Sequence, residues 1–391
     1  MVEPVSPELG VPRAFLRVAG ASLARHQLAV AHRLNCQRVI CMARGTSAEL
    51  IDLQRCAENG GLKFHIIADT RGLSGLVTSA DELLVLCEGV LADPAIIAGK
   101  LVKQSCVLVQ PADGAVEAGF ERIDLNFAVA GIMIIPGRLA ERLRELPADC
   151  DVVSTLTRIA LQHDITRQEV PAALRTKALQ MIRNEEEAHG AEQELLKRVL
   201  GGPSSPSPGH FLSIRTAILF GPALLHARNG VAVFAFLFLA LLAGALVSGW
   251  FGLSALGLVM CAVGWVLLKI LESLSEVNNR ISIARTSVFS QIKSAGWLLD
   301  FAIVLILALQ APVSGDVLGL GIFFAPMMLM LLLRIAALAF EGWHSGYFGD
   351  RALLCTGLAA ISVLGSSAPS VQILAVFAAV AVLIRAGKLQ R

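Results

Sequence analysis

Two patterns of hydrophobic positions share this 391-residue chain, and one gives way to the other near residue 200. Up to that point, short apolar runs alternate with longer amphipathic stretches. The runs are RVICMA (38–43), FHIIA (64–68), LLVLC (83–87), CVLVQ (106–110) and GIMIIP (131–136). Runs of this length, rich in β-branched residues, predict buried strands. Helical periodicity predicts helices over 22–35, 46–59, 94–104, 137–146, 151–163 and 172–200. Strands alternating with helices predict an α/β domain over residues 1–200, with a parallel sheet covered on both faces.

Beyond residue 200 the apolar runs lengthen. A membrane-crossing helix needs about 20 apolar residues. Six segments qualify: 229–249, 252–271, 296–312, 317–340, 351–366 and 369–386. The fifth is the shortest and contains Gly357 and Gly365. Charge in the loops is one-sided. One set carries Arg215 and Arg228, then Arg280, Arg285 and Lys293, then Arg351, then Lys388 and Arg391. The alternate loops, SGWFG, QAPVSGD and GSSAPS, hold Asp316 alone. Lys and Arg collect on the cytoplasmic side of membrane proteins. Both termini and the N-terminal domain are therefore expected in the cytoplasm, with an even number of spans. Residues 201–228 join the halves. GPSSPSP (202–208) reads as a flexible linker. HFLSIRTAILFGPALLHARNG (210–230), with Arg215, His226 and Arg228 among apolar residues, reads as an amphipathic helix in the membrane interface. Two roles stay open for it: docking alone, or basic residues holding an anionic lipid head group. The membrane domain is expected to occupy 229–391.

Composition fits this division. The chain is 55% hydrophobic and 16% charged. Soluble domains carry about a quarter charged residues. A net charge of +2 gives no support to nucleic-acid binding. The opening, MVEPVSPELGVPRAF, has no basic segment followed by an apolar run, so no secretory signal is expected there. The eight cysteines show no zinc-type spacing and mostly sit in apolar runs; they are expected to be buried thiols in a reducing compartment.

Candidate chemistry is sparse. In a parallel sheet, ligands bind beyond the carboxyl ends of strands. EGVLAD follows LLVLC, so Glu88 and Asp93 are candidate metal ligands, with a solvated loop as the competing reading. No Gly-rich phosphate loop is present. Asp300 lies inside a predicted span, and an ionisable group there marks a functional site by default. Its other reading is a carboxylate paired with Arg285 or Lys293. Arg334 and Glu341 share a helix face and read as topology anchors. Nothing fixes His344 and Asp350 as a pair. RNEEEAH (183–189) reads as a charged helix face.

Three segments of the first half resemble the sugar-nucleotide type of nucleotidyltransferase. VAGASLARHQLAVAHRLNCQRVICMA (18–43) is similar to the stretch after that family's phosphate loop. LLVLCEGVLADP (83–94) is similar to its metal-binding strand end. IDLNFAVAGIMIIPG (123–137) is similar to a later strand. The second half resembles the CDP-alcohol phosphatidyltransferases, which carry D-x2-D-G-x2-A-R-x8-G-x3-D-x3-D. In EVNNRISIARTSVFSQIKSAGWLLDFAIV (276–304), Ala284 and Arg285 match A-R, and Gly296 and Asp300 match G-x3-D. The early aspartates fall on Val277 and Arg280, the glycine on Ile281 and the last aspartate on Val304. Ten residues, rather than eight, separate Arg285 from Gly296. Of four carboxylates, Asp300 alone remains.

The fusion resembles bifunctional enzymes of inositol-phosphodiester synthesis. The resemblance implies a Rossmann-like nucleotidyltransferase-like domain joined to six transmembrane helices in a plasma (inner) membrane. It implies Mg²⁺ or Mn²⁺ at Asp300, and phosphate or substrate binding by Arg280, Ala284, Arg285, Lys293 and Gly296. Membrane lipids and a CDP-alcohol would be the ligands, in a homodimer or beside an active paralogue. Three functions stay open: phospho-alcohol transfer, an inactive scaffold for an active lipid-synthesis enzyme, and a transporter.

Overall fold

The computed structural model describes residues 12–389 apart from 44, 74, 102–103, 146–149, 202–206, 227–229, 282–287, 311–320, 341–342 and 365–366. The chain divides into two compact units, Met1–Glu194 with Asn278–Arg285, and Leu195–Val277 with Thr286–Arg391.

The first unit is α/β. It opens with the short strands β1 (Arg17–Val18) and β2 (Ala21–Ser22), then α1 (Leu23–Arg33). Ser22 caps α1 by accepting the Arg25 N–H. The strand β3 (Arg38–Met42), helix α2 (Ala48–Asn59) and strand β4 (Lys63–Ile67) follow. Next come β5 (Glu82–Leu86), β6 (Val90–Ala92), the turn α3 (Pro94–Ile96), β7 (Cys106–Pro111), the turn α4 (Ala112–Ala115) and β8 (Phe127–Pro136). The unit continues with α5 (Val152–Gln162), β9 (Arg167–Glu169), α6 (Ala172–Ala178), β10 (Leu179–Met181) and α7 (Glu185–Leu200). All five sequence-predicted strands are present within one residue of the expected start, except that β8 begins four residues early.

Two sheets organise this unit. β3 and β4 form a parallel pair. β5, β8, β7 and β9 form a four-stranded sheet in that order. Its faces follow the two-residue period of a strand. Cys106, Leu108, Ala128, Ala130 and Ile132 join one core with Val30, Ile97 and Val170. Val107, Val109, Met133 and Ile135 join another with Leu139, Leu156 and Ile159. The sheet is mixed rather than parallel: β8 runs antiparallel to both neighbours, and β7–β9 is parallel. Strands buried on both faces are apolar at nearly every position whichever way they run, so hydrophobicity does not encode direction. Three predicted helices also come out differently. The 94–104 stretch is a short α-helical turn, Pro94–Ile96, followed by a π-helix, Ile97–Leu101. Residues 137–145 form a 3₁₀ helix. The 172–200 stretch breaks at β10, which pairs with β6 and so takes its backbone bonds from another strand.

The second unit is helical: α8 (Pro208–His226), α9 (Gly230–Trp250), α10 (Ser254–Ile281), α11 (Val288–Leu309), α12 (Gly321–Ala339), α13 (Trp343–Gly349), α14 (Arg351–Val363) and α15 (Ser367–Leu389). Among the described residues, three helices are long and apolar enough to cross a membrane: Ala232–Trp250, Ser254–Ile281 and Gly321–Ala339. Shorter apolar helices occupy Ser294–Leu309, Arg351–Val363 and Pro369–Arg385. One core joins them, including Phe238, Leu258, Leu268, Leu299, Ile303, Leu329, Leu358 and Val371. Large apolar side chains elsewhere face outward, among them Phe236, Trp250, Phe251, Phe301, Phe324 and Leu338. A polar solvent does not favour that arrangement, and lipid does.

Candidate functional site

Asp300 sits on α11 one turn beyond Gly296, on the same face. It is 6% exposed. Two neighbouring helices bring a guanidinium to it. Arg334 of α12 donates from Nε to Asp300 Oδ2 at 2.6 Å. Arg351, the first residue of α14, donates from Nε to Oδ1 at 3.0 Å. Both carboxylate oxygens are thus engaged by charge-assisted bonds, the strong class of hydrogen bond. The two arginines differ in setting. The Arg351 side chain is 5% exposed and also donates from Nη1 to the Phe348 carbonyl at 2.9 Å. The Arg334 side chain is 30% exposed, and its guanidinium lies 3.5 Å from the Trp297 ring centre.

Asp350 extends the cluster. It is buried, and Oδ1 accepts the Ala352 and Leu353 N–H groups, capping α14. Its Oδ2 accepts the Gly209 N–H of α8 at 2.7 Å. A Cβ on residue 209 would collide with this carboxylate, so the close approach requires glycine. Two carboxylates and two guanidiniums therefore lie along one path from Gly209 to Trp297, and their formal charges cancel. Gly296 is held less strictly: a Cβ there would meet Leu268 and Arg334 at ordinary contact distances.

Beside this path, Lys269 pairs with Glu272 at 2.6 Å and lies 4.4 Å over the Trp265 ring. His210 of α8 is pushed below its usual pKa by burial and by Lys269, against the opposing pull of Asp350 and Glu272. α8 also shows Phe211, Leu212, Leu219 and Phe220 outward, with Arg215 stacked 5.3 Å from Phe211. That is the composition of a helix at an apolar–polar boundary.

Ala284 and Arg285 lie outside the described residues, as does Glu341. Lys293 is on α11, and Arg280 is exposed at the end of α10. Asp300 is paired with Arg334 and Arg351. Arg334, expected as a topology anchor, contacts the carboxylate directly. A buried carboxylate inside an apolar helix demands a cation, which was the available signal. Which cation depends on the relative depth of three helices, and one-dimensional sequence does not give that.

In the first unit, Glu88 and Asp93 are separate features. Glu88 occupies the turn after β5 and accepts the Ala14 N–H at 3.2 Å. Gly89 follows with φ +82°, and a Cβ there would lie 2.8 Å from the Ile182 carbonyl. Gln27 braces the turn by donating to the Cys87 and Val90 carbonyls. Asp93 caps α3 through the Ala95 and Ile96 N–H groups. Its Oδ1 accepts both cap bonds.

Mg²⁺ and Mn²⁺ do not fit the described residues. Such ions take oxygen ligands, usually one or two carboxylates plus substrate phosphates. Asp300 offers one carboxylate with both oxygens bonded to arginine. Among the described residues, no three His, Cys, Asp or Glu side chains converge. The cluster is neutral as a whole; its partly exposed member, Arg334 beside Trp297, is paired with Asp300 through Nε. No protein-family model matches the chain, and no curated protein matches it.

Proposed function

We propose that this chain is a multi-pass membrane protein of the CDP-alcohol phosphatidyltransferase type that has given up the transfer reaction. It serves phospholipid-type synthesis as a binding or scaffold partner of an active transferase. One observation carries the reading: Asp300, the sole carboxylate left in the motif frame, is clamped between Arg334 and Arg351. Transfer from a CDP-alcohol needs metal on the pyrophosphate and a general base on the acceptor. A carboxylate bonded to two guanidiniums supplies neither. The six apolar segments, each carrying a helix, are read as six spans preceded by the interfacial helix α8. The Arg- and Lys-bearing loops support a topology with the N-terminal domain and both termini on the cytoplasmic side of a plasma (inner) membrane. A homodimer through the membrane helices, or a pair with the active enzyme, is the assembly this reading expects.

The test is release of CMP from CDP-diacylglycerol by the purified protein in detergent, with Mg²⁺ or Mn²⁺ and glycerol or inositol phosphate acceptors. No release is expected, and affinity capture from membranes is expected to bring down an active transferase. A second reading has an observation in its favour. The Gly296-x3-Asp300 frame is retained beside two arginines that suit phosphate. If that reading holds, metal-dependent CMP release appears and is abolished by Asp300→Ala. Release that survives that substitution removes Asp300 from any mechanism.

A further inference from the structure

Helix α8 is built inside out. Its buried positions recur every four residues, at Gly209, Ser213, Ala217 and Gly221, and all four are small. Positions at that spacing share one helix face. The outward face carries large apolar side chains instead, Phe211, Leu212 and Leu219. Among them stands Arg215, the one Lys, Arg, Asp or Glu residue of the helix. It is exposed, and its guanidinium lies 5.3 Å from the centre of the Phe211 ring. The small face lets the backbone approach its neighbours closely. Gly209 meets the Asp350 carboxylate, and a Cβ on Gly221 would come within 3.2 Å of Leu274.

Those contacts fix the level at which α8 lies. Three residues join α9 to α10, so the two helices run antiparallel. α9 has 21 residues and Leu274 is the 21st residue of α10, which puts Leu274 level with the start of α9. α14 starts at Arg351, next to the Asp350–Gly209 bond. α8 itself ends at His226, close in sequence to Gly230, the first residue of α9. Its 19 residues, about 28 Å long, therefore run across the ends of three apolar helices rather than along their length. Beside α8, Lys269 pairs with Glu272, and Asp300 and Asp350 offset the charges of Arg334 and Arg351. The charge that α8 turns outward is that of Arg215.

We infer that α8 docks on anionic phospholipid, with Phe211, Leu212 and Leu219 in the acyl layer and the Arg215 guanidinium on a lipid phosphate. At the level of the helix ends, the boundary between acyl chains and head groups suits an outward face that is apolar around one cation. The planar guanidinium matches a phosphate through paired N–H donors. The phosphate of a zwitterionic lipid is already offset by its own ammonium, so the arginine favours head groups of net negative charge. One basic residue at an anionic surface contributes about fivefold in binding. The inference rests on the reading of the second unit as membrane-embedded and is independent of the transfer reaction.

The test uses the full chain reconstituted in vesicles of phosphatidylcholine, with or without phosphatidylglycerol. Flotation checks that the protein is embedded. Hydrogen exchange of the α8 amides from Phe211 to Leu219 reads docking, with the α12 amides as reference. Exchange at α8 is expected to slow about fivefold when phosphatidylglycerol is present, with α12 unchanged. Arg215→Gln is expected to remove this lipid dependence, and Arg215→Lys to keep most of it. Protein that does not float removes the membrane reading and the proposal with it. Floating protein whose α8 amides exchange at one rate in both lipids overturns the proposal alone, as does an Arg215→Gln protein that keeps the full response. Protection that follows the number of chains per vesicle instead of phosphatidylglycerol assigns the face to a second copy of this chain and overturns the proposal as well.

Discussion

A carboxylate with two guanidinium partners is costly to disturb when all three are away from water. Removing one member of a buried ion pair costs about 3–5 kcal/mol, because the remaining charge stays desolvated. Asp300→Ala leaves two cations facing each other and is expected to cost that much. Arg351→Met is expected to cost nearly as much, since its side chain is 5% exposed. Arg334→Met is expected to cost less, because at 30% exposure water replaces part of the lost interaction. Thermal unfolding in detergent ranks the three variants, and an Arg334 variant less stable than the Arg351 variant would refute the assignment. Sequence made Asp300 visible as a charge in an apolar segment. It did not make the partners visible: Arg334 and Arg351 are 34 and 51 residues away, on other helices.

Elements were more legible than their partners. Strand positions followed from short apolar runs, and a helix lies on each long apolar segment of the second half. Strand direction was not legible, as β8 illustrates. The break at β10 was also hidden, since Leu179–Met181 is held by pairing with β6 rather than by its own periodicity. Asp350 shows how a single residue sets an element boundary. It caps α14 and also holds the start of α8 through Gly209. Loss of a cap costs about 1–2 kcal/mol. Asp350→Ala is expected to lower stability by at least this amount and Asp350→Asn by less, because the amide oxygen still accepts. Equal melting temperatures for Asp350→Ala and the parent protein would show that the cap does not stabilise α14.

At the scale of the whole molecule, the division into an α/β unit and a helical unit was legible from the change in run length near residue 200. The units are expected to respond differently to acid. His26 of the first unit is buried, bonded to the Val18 carbonyl at 2.9 Å, and held by burial at about 4 instead of 6.5. The unfolded chain takes up this proton first. Its contribution is complete above about pH 6.5, falls as pH drops, and is gone below about pH 4, a change of about 3 kcal/mol. Hydrogen exchange of the α1 amides should therefore quicken between pH 7 and 4.5, beyond the intrinsic trend, relative to that of α12. His26→Gln should flatten the difference; a His26→Gln protein with the same pH response would assign it elsewhere.

The brevity of α14 has a consequence for the lipid around it. Thirteen residues rise about 20 Å, while the hydrocarbon layer of a bilayer is about 30 Å thick. Val363 and Leu364, at its far end, are 75% and 79% exposed. On the six-span reading, this helix ends inside the hydrocarbon, and the membrane must thin beside it. Such hydrophobic mismatch costs fractions of a kcal/mol per ångström. Acyl-chain length thereby becomes a determinant of where in a cell's membranes this protein is most stable.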